Sequence, residues 1–325
     1  MKKEIKYNVN LPFIKDDKNG NLCIDGQYIL NESKENPPYS KLFMWMVNKN
    51  PQRKEKKSDK FVPEVFKNNT FLNSTHDCIT WLGHSSFYIQ LQQIKILTDP
   101  VFYSLTPLLK RKHPLPCNIS DFKDINYIIL SHGHRDHLDI PTLKKLCKQN
   151  PKVEVLCPLG FEKMLQKIGF TKIQEAAWWQ RYNTQSITID FLPAKHWNRR
   201  FITDYNTTLW GSFALSIIDK KIYFAGDTAY DQHFKEIQEH YQNFDFCLMP
   251  IGAYKPRYVM KWAHISPEEA IQAFQELQGK TFIPMHYGTF DLSDEPASEP
   301  IRIIEKNMQL DGALKTLKVG EHFQI

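Results

Sequence analysis

The stretch NYIILSHGHRDHLD, residues 126–139, decides how the whole chain is read. Tyr127, Ile128, Ile129 and Leu130 form a short apolar run of the kind that makes a buried strand. His132, His134, Asp136 and His137 follow at once. Imidazoles and carboxylates crowded against a strand end cost folding free energy unless something uses their lone pairs or offsets their charge. In the spacing H-x-H-x-D-H a tight turn can aim His132 and His134 at one cation and let Asp136 and His137 reach a second.

The same arrangement recurs along the chain. ITIDFLPA runs into Lys195 and His196, KIYFAG into Asp227, and TFIPM into His286. Strand ends on one edge of a sheet converge in space, and ligand sites are commonly built there. His196 would give the first cation a third imidazole, Asp227 would bridge both cations, and His286 would complete the second. Nitrogen and carboxylate oxygen without cysteine suit zinc, with manganese or iron as substitutes. Two such ions about 3.5–4 Å apart make water nucleophilic at neutral pH.

The rest of the 325 residues fits a globular enzyme. Hydrophobic residues make up 42% and charged residues 24%, a balance that excludes a disordered or fibrous chain. The formal net charge of +6 is too weak, and too little concentrated in a stripe, for a dedicated nucleic-acid binder. No apolar stretch is long enough to cross a bilayer, and MKKEIKYNVN has no apolar region behind its lysines. The six cysteines are scattered without a C-x-x-C pair, which reads as reduced thiols in a cytoplasmic protein.

Residues 1–75 differ in texture. They carry turn signals (Asp16, Asp17, Asn19, Gly20, Asn36, Pro37, Pro38) and basic residues at Lys49, Arg53, Lys54, Lys56, Lys57 and Lys60, and few periodic segments. They read as an extension that wraps a following domain, 76–325. From residue 76 short strands alternate with helical patterns, over Ile140–Lys148 and Phe161–Ile168 for example. Ser266, Pro267 and Glu269 announce a helix with a capping box, whose apolar face is Ala270, Ile271, Phe274 and Leu277. The alternation predicts a mixed α/β fold with two packed sheets and helices outside.

With these residues in order, the chain resembles the metallo-β-lactamase-fold hydrolases. More narrowly it resembles their N-acyl-phosphatidylethanolamine phospholipase D-like group. TWLGHSSFYIQ, ILTDPVF, LSHGHRDHLD, TLWGSFAL, YFAGDTAY, MPIGAYKPRYVMKWAHISPEEA and MHYGTFDLSDEP carry the likeness over about residues 76–300. The resemblance implies a four-layer αββα sandwich. It implies His132, His134 and His196 on one zinc, Asp136, His137 and His286 on the other, and Asp227 shared. It also implies a substrate-contacting role for His264. The chain departs from the group at Gly133 and Arg135, where an asparagine and an aromatic residue often stand. Arg135 adds positive charge beside the metals.

The expected function is therefore hydrolysis of a phosphodiester in a membrane phospholipid by a binuclear zinc enzyme. Asp136 is a ligand that can also position the attacking group, and His264 orients or protonates. A lactonase or thioesterase would use the same site on an acyl carbon. A metal-binding protein without turnover is disfavoured by the complete donor set. His84 and Asp99 read as supports for the metal loop, Tyr254 and Arg257 as substrate contacts or a packed loop. His76, His113, His233, His240 and His322 read as surface residues. In KLFMWMVNKNPQRKEKK, residues 41–57, the apolar Leu42, Phe43, Trp45, Met46 and Val47 precede a basic run. The segment is either a buried anchor or a peripheral contact with anionic lipid. No nucleic-acid partner is expected, and self-association is left open.

Overall fold

The computed structural model describes residues 2–30, 39–308 and 312–325. Near the N-terminus β1 (Lys3–Lys6), β2 (Asn21–Ile24) and β3 (Gln27–Tyr28) make a small antiparallel sheet. Helices α1 (Tyr39–Val47) and α2 (Arg53–Ser58) follow. Next come β4 (Cys78–Gly83), β5 (Ser86–Leu91) and β6 (Ile94–Thr98), an antiparallel meander. Onto β6 are added β7 (Tyr127–Ile129), β8 (Glu154–Pro158) and β9 (Lys172–Ala176), all parallel. Their crossovers contain α3 (Ile140–Gln149) and α4 (Glu162–Ile168).

The other large sheet begins with β10 (Gln180–Arg181), β11 (Thr188–Leu192), β12 (Ser212–Ile217) and β13 (Lys220–Phe224), antiparallel throughout. Helix α5 (His233–Tyr241) leads to β14 (Phe244–Pro250), parallel to β13. Then α6 (Arg257–Met260) and α7 (Pro267–Glu276) lead to β15 (Gly279–Met285), parallel to β14. The chain closes with α8 (Glu299–Met308) and β16 (Phe323–Gln324), which pairs with β4.

Strand alternation explains the layers. Along β4, β5 and β6, Ile79, Trp81, Phe87, Ile89 and Ile96 point into a core shared with Phe191, Leu215, Ile222 and Phe224 of the second sheet. Their neighbours Cys78, Leu82, Tyr88 and Leu97 point the other way, onto Leu143 and Leu146 of α3 and Leu165 of α4. Strands β4, β5 and β6 thus bury apolar side chains on both faces, as a sheet covered on both sides requires. Helix α7 packs on β14 and β15 outside the second sheet. The order is helix, sheet, sheet, helix. The capping box is present, with the Ser266 hydroxyl accepting from Glu269 N and the Glu269 carboxylate accepting from Ser266 N.

Strand direction, more than layering, gathers the polar residues at one edge. Strands β4, β6 and β7 run the same way in the first sheet, and β11, β13, β14 and β15 run the same way in the second. The residues just beyond their C-terminal ends are His84, Asp99, His132, His196, Asp227 and His286.

The first residues, poor in periodic segments by sequence, contain β1–β3; strands of four and two residues are too short to display a period of two. One sequence expectation needs correction. His113 and His233, expected on the surface, are buried. The His113 imidazole has Pro114 O and the Thr289 hydroxyl as partners, and His233 Nε2 sits 3.2 Å from the Thr228 hydroxyl. These contacts replace water, and burial pushes the pKa of His113 down to about 4. Of the residues marked as turn signals or apolar anchor, Asn36, Pro37, Pro38 and the side chain of Leu42 lie outside the described ones.

Ile218 begins the two-residue turn between Ile217 and Lys220, at φ 43° and 88% exposed. A β-branched residue is strained there, and glycine is not. Ile218→Gly should raise the free energy of unfolding by about 1 kcal/mol. Phe224→Ala, in the shared core, should lower it by about 3–5 kcal/mol. Denaturant titration measures both; equal effects at the two positions would contradict the layered core.

Candidate metal centre

The functional residues are brought together by the chain segments that leave the strands. Gly211 N donates to Ser131 O (3.0 Å), joining the end of β7 to the start of β12. Ala229 N donates to Lys195 O (2.7 Å) and Ile265 N to Thr228 O (2.8 Å), which ties the loops of His196, Asp227 and His264 to one another. His286 N donates to His84 O (3.1 Å), across the two sheets. His84, Asp99 and His286 have φ of 55°, 33° and 63°, left-handed conformations that cost non-glycine residues on the order of 1–3 kcal/mol each.

Two groups of side chains result. His132, His134, His196 and Asp227 offer one ligand atom each within 4.8 Å of one another, and so do His84, Asp136, His137 and His286. In the first group His134 Nδ1 lies 2.9 Å from His132 Nε2 and 3.1 Å from His196 Nε2. Asp227 lies between the groups. Its Oδ2 is 3.9 Å from both His132 Nε2 and His196 Nε2 and 3.2 Å from His137 Nε2, while its Oδ1 is 3.1 Å from His286 Nε2. Asp136 Oδ2 is 3.6 Å from His286 Nε2 and 3.7 Å from His137 Nε2. His264 Nδ1 is 3.8 Å from Asp227 Oδ2. All the residues expected to hold metal are thus in one place, with His264 beside them.

Supporting bonds set which nitrogen faces inward. His137 Nδ1 donates to Asp99 Oδ2 (2.7 Å), and His132 Nδ1 donates to the Ser131 hydroxyl (2.9 Å), which donates in turn to Asp99 Oδ2 (2.5 Å). His196 Nδ1 donates to Ala263 O (2.9 Å). Each of these rings therefore presents Nε2 to the interior, the usual outcome of such outer contacts in metal sites. His84 Nε2 donates to Asp136 Oδ2 (3.1 Å). Tyr254 and Arg257 are tied elsewhere: the Tyr254 hydroxyl donates to Glu299, and Arg257 bonds both oxygens of Glu269 and the carbonyl of His264.

The electrostatics fit a cation. Burial, helped by His137, His134 and His196, holds His132 well below the ordinary imidazole value, and burial pushes His134 down to about 4. These rings are neutral, the form that binds metal. Burial opposes charge on Asp136 and Asp227, yet the imidazoles around them hold both carboxyls well below the usual range. Against its own burial, His286 is pushed up to about 9 by Asp227 and Asp136. Buried His134 Nε2, His137 Nε2, His286 Nε2 and Asp227 Oδ1 have no aligned hydrogen-bond partner. Unpartnered buried polar atoms are rare, and three of these, on His137, His286 and Asp227, belong to one cluster rich in lone pairs and negative charge. That donor set suits metal binding.

Sequence reasoning did not single out Trp197, whose ring meets that of His134 at 4.5 Å, nor Asn198 and Arg200, which bond Gly133. Their signal was proximity in HWNRR to His196, too weak to separate them from an ordinary loop.

Comparisons with known proteins agree with this geometry. Residues 95–287 match the family model described as a Beta-lactamase superfamily domain. The chain is 33% identical over 263 residues to a Caenorhabditis elegans protein named N-acyl-phosphatidylethanolamine-hydrolyzing phospholipase D 1, covering 74% of each. It is 33% identical over 239 residues to the mitochondrial protein of that name from Saccharomyces cerevisiae, covering 70% of this chain and 50% of the yeast protein. Among solved structures, Igni18, a metallo hydrolase from Ignicoccus hospitalis, superposes with a TM-score of 0.60 at 20% identity, over 77% of this chain and 99% of that one.

Asp227 contributes to both groups, whereas His196 contributes to one. After dialysis, Asp227→Ala should retain almost no metal and His196→Ala about half the wild-type amount. Elemental analysis reads the ratio. An Asp227→Ala protein with undiminished metal would remove this carboxylate from the centre.

Proposed function

The chain belongs to the β-lactamase superfamily, in its N-acyl-phosphatidylethanolamine phospholipase D-like group, and from that premise we propose that it is a binuclear zinc phosphodiesterase acting on membrane phospholipid. That it is a metal-dependent hydrolase follows from the family. The finer reading rests on one observation: Asp227 is within reach of both donor groups, its Oδ2 lying 3.9 Å from His132 Nε2 and His196 Nε2 and 3.2 Å from His137 Nε2, and its Oδ1 3.1 Å from His286 Nε2. His132, His134 and His196 would hold one ion, Asp136, His137 and His286 the other, with Asp227 between them. Ions bound there would supply water made nucleophilic near neutral pH and positive charge opposite a phosphoryl group.

The protein's own groups do the rest. Asp99 and Ala263 O fix the orientation of His137 and His196. His264 keeps Nδ1 free of protein partners at the margin of the centre, where it can bond a phosphoryl oxygen or the leaving group. Burial pushes its pKa down to about 4, so at neutral pH it has one N–H to donate and one lone pair to accept. Arg135, exposed between His134 and Asp136, adds positive charge that favours an anionic substrate.

Access to a lipid surface is supported by α1. Phe43, Met44, Met46 and Val47 are exposed on it, Met46 to 83%, and Arg53, Lys54 and Lys57 are exposed on α2. Among the described residues no helix is long and apolar enough to cross a membrane. The pair is fastened to the 291–299 loop through Trp45, Asn50 and Gln52 and through Lys56, which pairs with Asp291 at 2.6 Å. Helix α1 also packs on α6, which leads into His264. An apolar helix followed by a basic one suits anionic headgroups.

Incubating the metal-loaded protein with N-acylated phosphatidylethanolamine should release phosphatidic acid, detected by mass, and a chelator should abolish the release. Acyl-bond products instead, with the phosphodiester intact, would overturn the assignment in favour of the lactonase or thioesterase chemistry of this fold. Separately, Met46→Glu with Val47→Glu should weaken sedimentation with anionic vesicles several-fold at about 0.1 M salt while leaving hydrolysis of a soluble phosphodiester unchanged. Unaltered sedimentation would remove α1 from the membrane contact.

A further inference from the structure

Gly133 stands between His132 and His134, and both of its backbone polar groups are held by side chains of one distant loop. Its N–H donates to Asn198 Oδ1 at 2.7 Å, and its carbonyl accepts from Arg200 Nη1 at 2.7 Å. The same Arg200 nitrogen donates to Leu138 O at 2.8 Å, so the loop grips the HGHRDH turn at both ends. Asn198 is buried, and its amide is fixed on the other side by donating to the Thr208 hydroxyl. Its backbone is fixed as well: Asn198 N donates to Asn206 Oδ1 (2.9 Å), and Asn206 N donates to Asn198 O (2.8 Å). Asn206 is anchored in turn on β3, where Tyr28 N donates to its carbonyl at 2.7 Å.

The fit leaves no slack. A Cβ at position 133 would lie 2.8 Å from Asn198 Oδ1 and 2.9 Å from Phe161 Cε1, closer than such contacts occur. Glycine is needed here for space, since its φ is not positive. The amide of Asn198 thus sits where a side chain on the turn would have to be.

We propose that Asn198 is a positioning residue for the metal centre: by accepting the Gly133 N–H it sets the separation and aim of His132 and His134, and so tunes metal affinity without touching metal or substrate. The inference rests on the metal reading of the site. Outer-layer hydrogen bonds of this kind are worth on the order of 10–100-fold in metal affinity. Asn198 acts on the backbone between two donors, where a small rotation moves both rings.

The test measures zinc affinity of the full chain by competition with a chromophoric chelator, alongside the melting temperature with and without zinc. Asn198→Ala should weaken zinc affinity on the order of 10-fold or more and shrink the zinc-induced rise in melting temperature. Asn198→Asp keeps an accepting oxygen for Gly133 and can accept from Thr208, so it should stay within about 3-fold of wild type. Thr208→Val, which frees the amide to turn, should fall between the two; if Asn198→Ala does not fold, this variant decides. Unchanged zinc affinity in the folded Asn198→Ala or Thr208→Val protein overturns the inference, and so does equal weakening by Asp and Ala. A lowered melting temperature of the zinc-free protein with unchanged zinc affinity overturns it too, in favour of a purely structural asparagine. Wild-type protein that takes up no zinc would sink the metal reading itself, a result separable from all of these.

Discussion

Asp227 places an ionised carboxylate in the interior and Asp136 a second, half-buried one beside it, both ringed by imidazoles at the edge where both sheets end. An isolated carboxylate in such surroundings would be expelled or protonated. Here the charge stays because several histidines stand within 4 Å and because a divalent cation can use the same atoms. Every nearby feature bears on that concentration of negative charge. Asp99 and Ser131 accept from Nδ1 of His137 and His132 and so turn Nε2 of each ring toward it. The His84 ring donates to Asp136 Oδ2, the same oxygen that faces His137 and His286, and so fixes how that carboxylate is aimed. Remove the charge and the histidines have no common target; remove the histidines and the charge cannot remain buried.

That arrangement is expensive for the backbone. The left-handed conformations at His84, Asp99 and His286 fall within the site, on the first residues after strand ends. Each turns the chain sharply so that a side chain leaving a strand aims inward across the gap between the sheets. The opposition of the two sheets makes this tolerable. Their shared apolar core, with Trp81, Phe87, Phe213 and Phe224 all buried, holds the strand ends in place and offsets the local strain. The site is therefore a property of the sandwich edge rather than of any one loop.

The same geometry explains which parts could be read from sequence. Apolar runs ending in His, Asp and His are visible because strand and donor are adjacent in the chain, as in NYIILSHGHRDHLD. The capping box at Ser266 is visible for the same reason. What escaped was long-range or too short to show a period. The strands β1–β3 have four, four and two residues, and β10 has two. The burial of His113 and His233 depends on Thr289 and Thr228 hydroxyls, which composition does not reveal. The partners of Arg257 and Tyr254, Glu269 and Glu299, lie 12 and 45 residues away and belong to no local pattern.

The chain's own character lies in how the HGHRDH turn is supported. Its glycine leaves the turn without a side chain of its own for bracing, so bracing arrives from residues 198–208, and that loop is braced in turn by Asn206 on the N-terminal sheet. Residues ahead of β4 are consequently connected to the centre by hydrogen bonds from Tyr28 to Asn206, Asn198 and Gly133. At the other side, α1 and α2 reach it through the 291–299 loop and α6. The N-terminal residues therefore do more than cover apolar surface. They bear on the HGHRDH turn from one flank and on the segment leading into His264 from the other.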